Sequence, residues 1–186
     1  MVRAVPSFTD KTPDGDNRPR RVCDHCGFID YANPRLVVGV VATWEDRILL
    51  CRRAIEPRKG YWTLPAGFLE ERETTEEGAA REAWEEAHAE LEVGPLLGLY
   101  NVARIGQVHL FYRAQLRSAD VRPGDESLAV ALLLWDEIPW EQLAFPTVYW
   151  ALRAHDELKD TPVFTPRSNP PGDRGEFPGG WKGRRP

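Results

Sequence analysis

The chain has 186 residues, with 29 acidic against 24 basic side chains and a net charge of −5. That suits one ordinary globular domain with a full core and argues against general nucleic-acid binding. Three cysteines, Cys23, Cys26 and Cys51, are too few and odd in number for a disulfide scaffold, so a reducing, cytoplasmic setting is expected.

The N-terminus shows no apolar signal-peptide core. Residues 1 to about 22 are polar, rich in Pro, Asp and Arg, and carry no usable periodicity. Cys23 and Cys26 then have the spacing of one zinc knuckle, but a closed tetrahedral site needs four ligands and no second Cys pair exists. The β-branched run 36–42 reads as a central strand, and residues 44–46 as a hairpin turn into a second strand over 47–52. That strand ends in Arg52 and Arg53, which either face a phosphate or form a solvated strand end. After a Pro- and Gly-punctuated loop over 54–60, residues 61–64 form a short strand, with Trp62 assigned to packing. It leads into Pro65-Ala66-Gly67, where glycine lets the backbone turn tightly and approach a metal or phosphate.

A helix follows, opened by a capping box of Thr74 and Glu77. On it Glu82, Glu85 and Glu86 stand at i, i+3 and i+4, within about 100° of one another. Ala80, Ala83, Trp84, Ala87 and Leu91 are assigned to an opposite, packing face. Crowded carboxylates repel, and hard oxygen ligands one turn apart suit Mg²⁺ or Mn²⁺. The plain alternative is a solvated acidic face.

Residues 91–104 and 107–116 read as two strands joined at Ile105-Gly106, with Arg113 and Arg117 exposed. The loop 122–127 carries Asp125 and Glu126 ahead of the longest apolar run, 128–135. At eight residues this run is far short of the roughly 20 of a membrane helix. It reads as a buried strand, and no membrane partner is expected. Helical spacing over 139–159 predicts a C-terminal helix after a short turn. The Pro- and Gly-rich residues 160–186 are expected to be disordered.

Gly67, Glu73 and the run Arg81-Glu82-Ala83-Trp84-Glu85-Glu86 closely resemble the Nudix box, G-x5-E-x7-R-E-U-x-E-E-x-G-U, with U bulky and apolar. The last glycine of the box falls on His88, and two U positions on Ala83 and Ala89. These departures leave every acid in place and put only the helix end in question.

The resemblance implies an α/β fold, a single Nudix-type α/β/α sandwich with a mixed central sheet. Residues 1–34 would be an N-terminal segment with a partial zinc-ribbon-like knuckle, 35–159 the hydrolase domain and 160–186 a tail. Zn²⁺ at Cys23 and Cys26 is not expected, because relatives carry another Cys pair upstream. The implied reaction is metal-dependent cleavage of a nucleoside diphosphate linked to another moiety, giving two monophosphates. Metal ligands would be Glu82, Glu85, Glu86 and the Ala66 carbonyl. Arg81 and Glu73 would orient them, and the base would be Glu82, Glu85 or Glu126. Arg52, Arg53 and Gly67 would meet substrate.

Segments such as LPAGFLE and LAFPTV look like zinc-ribbon Nudix enzymes that cleave ADP-ribose and FAD. An SQPWPFP-type segment, which marks the NADH-cleaving branch, is missing. Rival readings are a house-cleaning triphosphate pyrophosphatase and a catalytically silent ligand sensor. A homodimer fits the family, and no nucleic-acid partner is expected.

Overall fold

The computed structural model describes residues 5–175. They fall into two compact units that divide between Pro34 and Arg35. The first is a small antiparallel sheet of β1 (Phe8–Lys11), β2 (Arg20–Cys23) and β3 (Ile29–Asp30). Its hub is Asp24, whose carboxylate accepts hydrogen bonds from Ser7 Oγ at 3.0 Å and Thr9 Oγ1 at 2.9 Å, with Lys11 Nζ at 3.5 Å. Of the two thiols, Cys23 is buried and Cys26 exposed.

The second unit is built on a mixed seven-stranded sheet. Its strands are β4 (Arg35–Trp44), β5 (Arg47–Arg53), β6 (Trp62–Thr63), β7 (Ala66–Phe68), β8 (Leu91–Val102), β9 (Gln107–Leu116) and β10 (Ser127–Leu134). The main order is β10-β5-β4-β9-β8, with β4 and β9 parallel and the other pairs antiparallel. Strands β4 and β5 pair only at Thr43↔Ile48 and Trp44↔Arg47, then splay apart. Into the gap come β6, on β5, and β7, on β4. That insertion carries Ala66 and Gly67 into the middle of the sheet.

Strand side chains alternate between two cores, as the period of two requires. Val38, Val40, Leu49, Cys51, Tyr112 and Ala114 pack on the side of helix α1 (Thr75–Ala87). Val41, Ile48, Leu50 and Phe111 pack on the side of helix α2 (Pro146–Leu158). The result is the expected α/β/α sandwich, with one helix on each face. Among the described residues no helix is long and apolar enough to cross a membrane, which says nothing of a β-barrel.

Several expectations need correction. Residues 128–134 of the apolar run lie in edge strand β10, which only β5 pairs; Leu128 is exposed, the rest are half-buried rather than buried, and Trp135 falls in a 3-10 turn. Arg113 is not exposed: it donates to Leu158 O at 2.7 Å and stacks over Phe164. The expected disorder from Asp160 does not hold for residues 160–175, while 176–186 lie outside the described residues. This stretch runs along the free edge of β8. Arg167 N–H donates to Leu97 O at 2.9 Å, and Leu99 N–H donates to Arg167 O at 2.8 Å. Asn169 exchanges two further bonds with the Asn101 backbone. Backbone pairing on an open edge orders a segment that has no apolar periodicity to announce it.

Candidate active site

Helix α1 starts as the sequence predicts. Glu77 N–H donates to Thr74 Oγ1 at 3.2 Å, and Thr74 N–H donates to Glu77 Oε2 at 2.8 Å. It ends at His88, which adopts the left-handed conformation at φ 47°, while its N–H donates to Trp84 O at 2.7 Å. His88 thus closes the helix with the backbone shape glycine favours, at a strain of order 1 kcal/mol.

The packing face differs from the sequence expectation. Gly78, Ala79, Glu82, Ala83, Glu86 and Ala87 are buried, whereas Trp84 is 48% exposed. At about 100° per residue, Glu86 stands near the middle of that buried arc and Trp84 outside it. Acid and packing therefore share one side. The small alanines let the helix sit close to the sheet, and the two glutamates occupy a gap that no apolar side chain fills.

The inserted β7 turn meets these glutamates directly. A Cβ at Gly67 would collide with the Glu82 carboxylate, so this position requires glycine for close approach rather than for its backbone angles. The Ala66 backbone N–H donates to Glu86. The second Glu86 oxygen, Oε2, is buried without a hydrogen-bond partner in the described structure. Burial, with the Glu82 charge adding to it, raises the Glu86 carboxyl to about 8. Glu82 is raised as well, because burial outweighs its bond to Arg81.

Arg81 is the centre of the polar network. Its Nε and Nη2 donate to the two Glu73 oxygens at 3.0 and 2.8 Å, and Nη2 also donates to Phe68 O at 3.0 Å. Nη1 reaches Glu82 at 2.8 Å and Glu85 at 3.0 Å. One guanidinium thus ties β7, the loop before α1 and the helix face together. It also holds the Glu73 carboxyl below the usual carboxylate range.

A second loop closes the helix end. Arg122 N–H donates to Ala87 O at 2.9 Å and Gly124 N–H to Glu86 O at 3.0 Å, satisfying carbonyls that a helix terminus leaves orphaned. A Cβ at Gly124 would collide with the Glu85 carbonyl. The contact brings Asp125 and Glu126 to the acids of α1, and all of them line one cavity of about 1150 Å³. Arg53 lines it too, donating to Pro57 O at 2.8 Å and lying over the Phe145 ring. Arg52 does not line it; its Nε donates to Gly60 O at 2.9 Å.

Of the residues singled out from sequence, Ala66, Gly67, Arg81, Glu82, Glu85, Glu86, Glu126 and Arg53 share the cavity. Glu73 stands behind it, through Arg81. Sequence reasoning missed Trp84 and His88 as cavity wall, and Thr147 at the start of α2. No periodicity or spacing marks these three.

Among the described residues no three His, Cys, Asp or Glu side chains are gathered as a ready metal-binding group, since Arg81 engages both Glu82 and Glu85. The donor chemistry nevertheless fits a hard divalent ion. Glu86 Oε2 is buried and unpartnered, and burial destabilises its charge unless a cation is near.

Residues 33–155 match the family model of the NUDIX domain, and residues 7–32 match that of the Nudix N-terminal family, a zinc ribbon. A solved NUDIX hydrolase from Nitrosomonas europaea is 40% identical, with 91% of this chain and 97% of that one covered and a TM-score of 0.83. A MutT-like protein of Streptomyces ambofaciens is 42% identical over 122 residues, 66% of this chain and 75% of that protein. Two shorter matches are nearly equal. An ADP-ribose pyrophosphatase of Methanocaldococcus jannaschii is 39% identical over 71 residues, 38% of this chain and 42% of that protein. The NAD-capped RNA hydrolase NudC of Edwardsiella ictaluri is 38% identical over 72 residues, 39% of this chain and 28% of that protein.

The N-terminal unit does not fit the zinc its family implies. It has two cysteines, one buried and one exposed, and a carboxylate hub at Asp24 ties β1 to the turn after β2.

Proposed function

The chain belongs to the Nudix hydrolase family, whose enzymes act on small nucleotide substrates and generally use divalent metal ions; on that premise we propose that it cleaves the diphosphate of a nucleoside diphosphate linked to another moiety, ADP-ribose or FAD, into two monophosphates. The observation that carries the reading is the buried, unpartnered Glu86 oxygen, set between the Ala66–Gly67 turn and Glu82 on the wall of a nucleotide-sized cavity.

Glu82, Glu85, Glu86 and the Ala66 carbonyl would hold Mg²⁺ or Mn²⁺. Bound there, the metal would neutralise the diphosphate and lower the pKa of an attacking water. Arg81 and Glu73 keep the carboxylates in register, a task that acts through the ligands rather than on substrate. Arg53, on the cavity wall, offers its guanidinium to a phosphate. Glu126, on the capping loop at the cavity wall, is one of three candidates, with Glu82 and Glu85, for taking a proton from a water there.

The ADP-ribose reading is supported by the named pyrophosphatase relative, and the missing SQPWPFP-type segment weighs against NADH. The similarly strong match to a NAD-capped RNA hydrolase supports the NAD cap of an RNA as the second reading. The ADP-ribose reading also carries a cytoplasmic setting, a homodimer and no part for nucleic acid or membrane. A panel of ADP-ribose, FAD, NADH and dGTP at fixed Mg²⁺ tests it by products. Two monophosphates from ADP-ribose or FAD support it; pyrophosphate released from dGTP alone would replace it with triphosphate cleavage.

A further inference from the structure

Helix α2 reaches the cavity with its N-terminus open. The residue before it, Phe145, has no side-chain acceptor to cap the helix, and Pro146 at the first helical position carries no N–H. The first helical N–H is therefore that of Thr147, and Phe145, Pro146 and Thr147 all line the cavity. The Thr147 side chain adds a second, independent observation. The residue is 2% exposed, and its hydroxyl is buried without a hydrogen-bond partner. A buried hydroxyl left unpaired is unfavourable, so its place on a cavity wall calls for a ligand atom. Arg53 lies alongside, its guanidinium 5.2 Å from the centre of the Phe145 ring. The wall of the cavity that sits on α2 thus combines a helix N-terminus, a free hydroxyl and a guanidinium, all three suited to an anion.

We propose that Thr147, through its hydroxyl and its N–H, forms with Arg53 a phosphate-binding subsite at the start of α2 that receives the phosphoryl group leaving with the non-nucleoside half of the substrate. The proposal rests on the diphosphate-cleaving reading above. The acids of α1 would serve the phosphorus under attack, and this subsite would hold its neighbour by hydrogen bonds and one fixed cation. Arg53 and the acids of α1 line the same cavity, so the two anchors face one bound diphosphate. Chain lengths and loop positions do not mark Thr147 in the sequence; only the unsatisfied hydroxyl on the cavity wall does.

The variants Thr147→Val, which keeps the side chain's shape but removes the hydroxyl, and Thr147→Ser, which restores it, test the assignment. In hydrolysis of ADP-ribose with Mg²⁺, T147V should raise KM about tenfold with a smaller loss in kcat, and T147S should return KM to within about twofold of the wild type. An unchanged KM in T147V would overturn the subsite while leaving the diphosphate reading intact. A second arm needs no catalysis. Ribose 5-phosphate or inorganic phosphate is titrated into the full chain without divalent ion, and the Thr147 amide is followed by ¹H–¹⁵N NMR. A saturable shift in the wild type and T147S, weakened about tenfold in T147V, supports the subsite even if ADP-ribose proves not to be the substrate. A Thr147 amide that stays put, or equal affinity in T147V, overturns it. Matching thermal midpoints of the variants serve as the folding control.

Discussion

Two helices of 13 residues each clasp the same sheet, and they are buried by different means. Helix α2 packs through Val148, Trp150, Ala151, Leu152 and Leu158, an apolar face of ordinary core type. Helix α1 packs through Gly78, Ala79, Ala83 and Ala87 and buries Glu82 and Glu86 among them. Each fully buried aliphatic side chain on α2 contributes about 1.5–3 kcal/mol. The alanines of α1 contribute less, and its two glutamates oppose burial. A cap at Thr74, a left-handed closure at His88, the Arg81 network and the capping loop hold α1 instead. The comparison teaches that one face of the sheet holds the fold together while the other gives up some stability to keep carboxylates dry and close.

Substitutions on the two helices should accordingly fail in opposite ways. The largest expected effect is on α1: Glu86→Gln should lower kcat by about 100-fold or more, since it removes the proposed metal ligand and little volume. Its thermal midpoint should hold or rise, because a neutral amide replaces a carboxyl whose charge burial disfavours. Denaturation and steady-state assays on the same preparation would separate the two effects; lost stability with retained kcat would break the contrast. Next, Leu152→Ala on α2 should cost about 3 kcal/mol of stability by opening a cavity in the core, with the kcat of the folded fraction kept. A kcat loss as large as that of E86Q would show that the apolar face of α2 is more than a support.

The smallest effect is on pH dependence and belongs to α2 again. Burial, reinforced by the Arg113 charge, lowers His155 to about 4 from an ordinary 6.5. The unfolded chain therefore binds the proton before the folded one does. The stability linked to His155 is present above pH 6.5 and is lost progressively as pH falls toward 4. Denaturant melts across that window should slope less steeply for His155→Gln than for the wild type. Equal slopes would mean that the imidazole is reached by water in the folded state.

Much of this molecule is legible in its residues. The capping box, the hairpin at 44–46, the central strand and the row of acids all follow from local patterns. The face of α1 was harder to read. Alanine suits either side of a helix, and a half-exposed tryptophan on a cavity wall points an apolar count to the wrong face. Burial of Glu86 depends on the β7 insertion and on the loop at Gly124, both far away in sequence. The ordering of residues 160–175 comes from pairing with the β8 edge, and Thr147 comes to notice only because its hydroxyl lacks a partner. Tertiary contact decides all of these, and no local period encodes them.

The central claim is that the acids of α1, gathered against the Gly67 turn, bind the divalent ion on which cleavage depends. Titrating Mn²⁺ into the wild-type protein and E86Q, and following the free-ion signal by electron paramagnetic resonance, tests it most directly. The account predicts saturable binding by the wild type that weakens about tenfold or more in E86Q, with the fold unchanged. Equal Mn²⁺ affinity in the two proteins would contradict it.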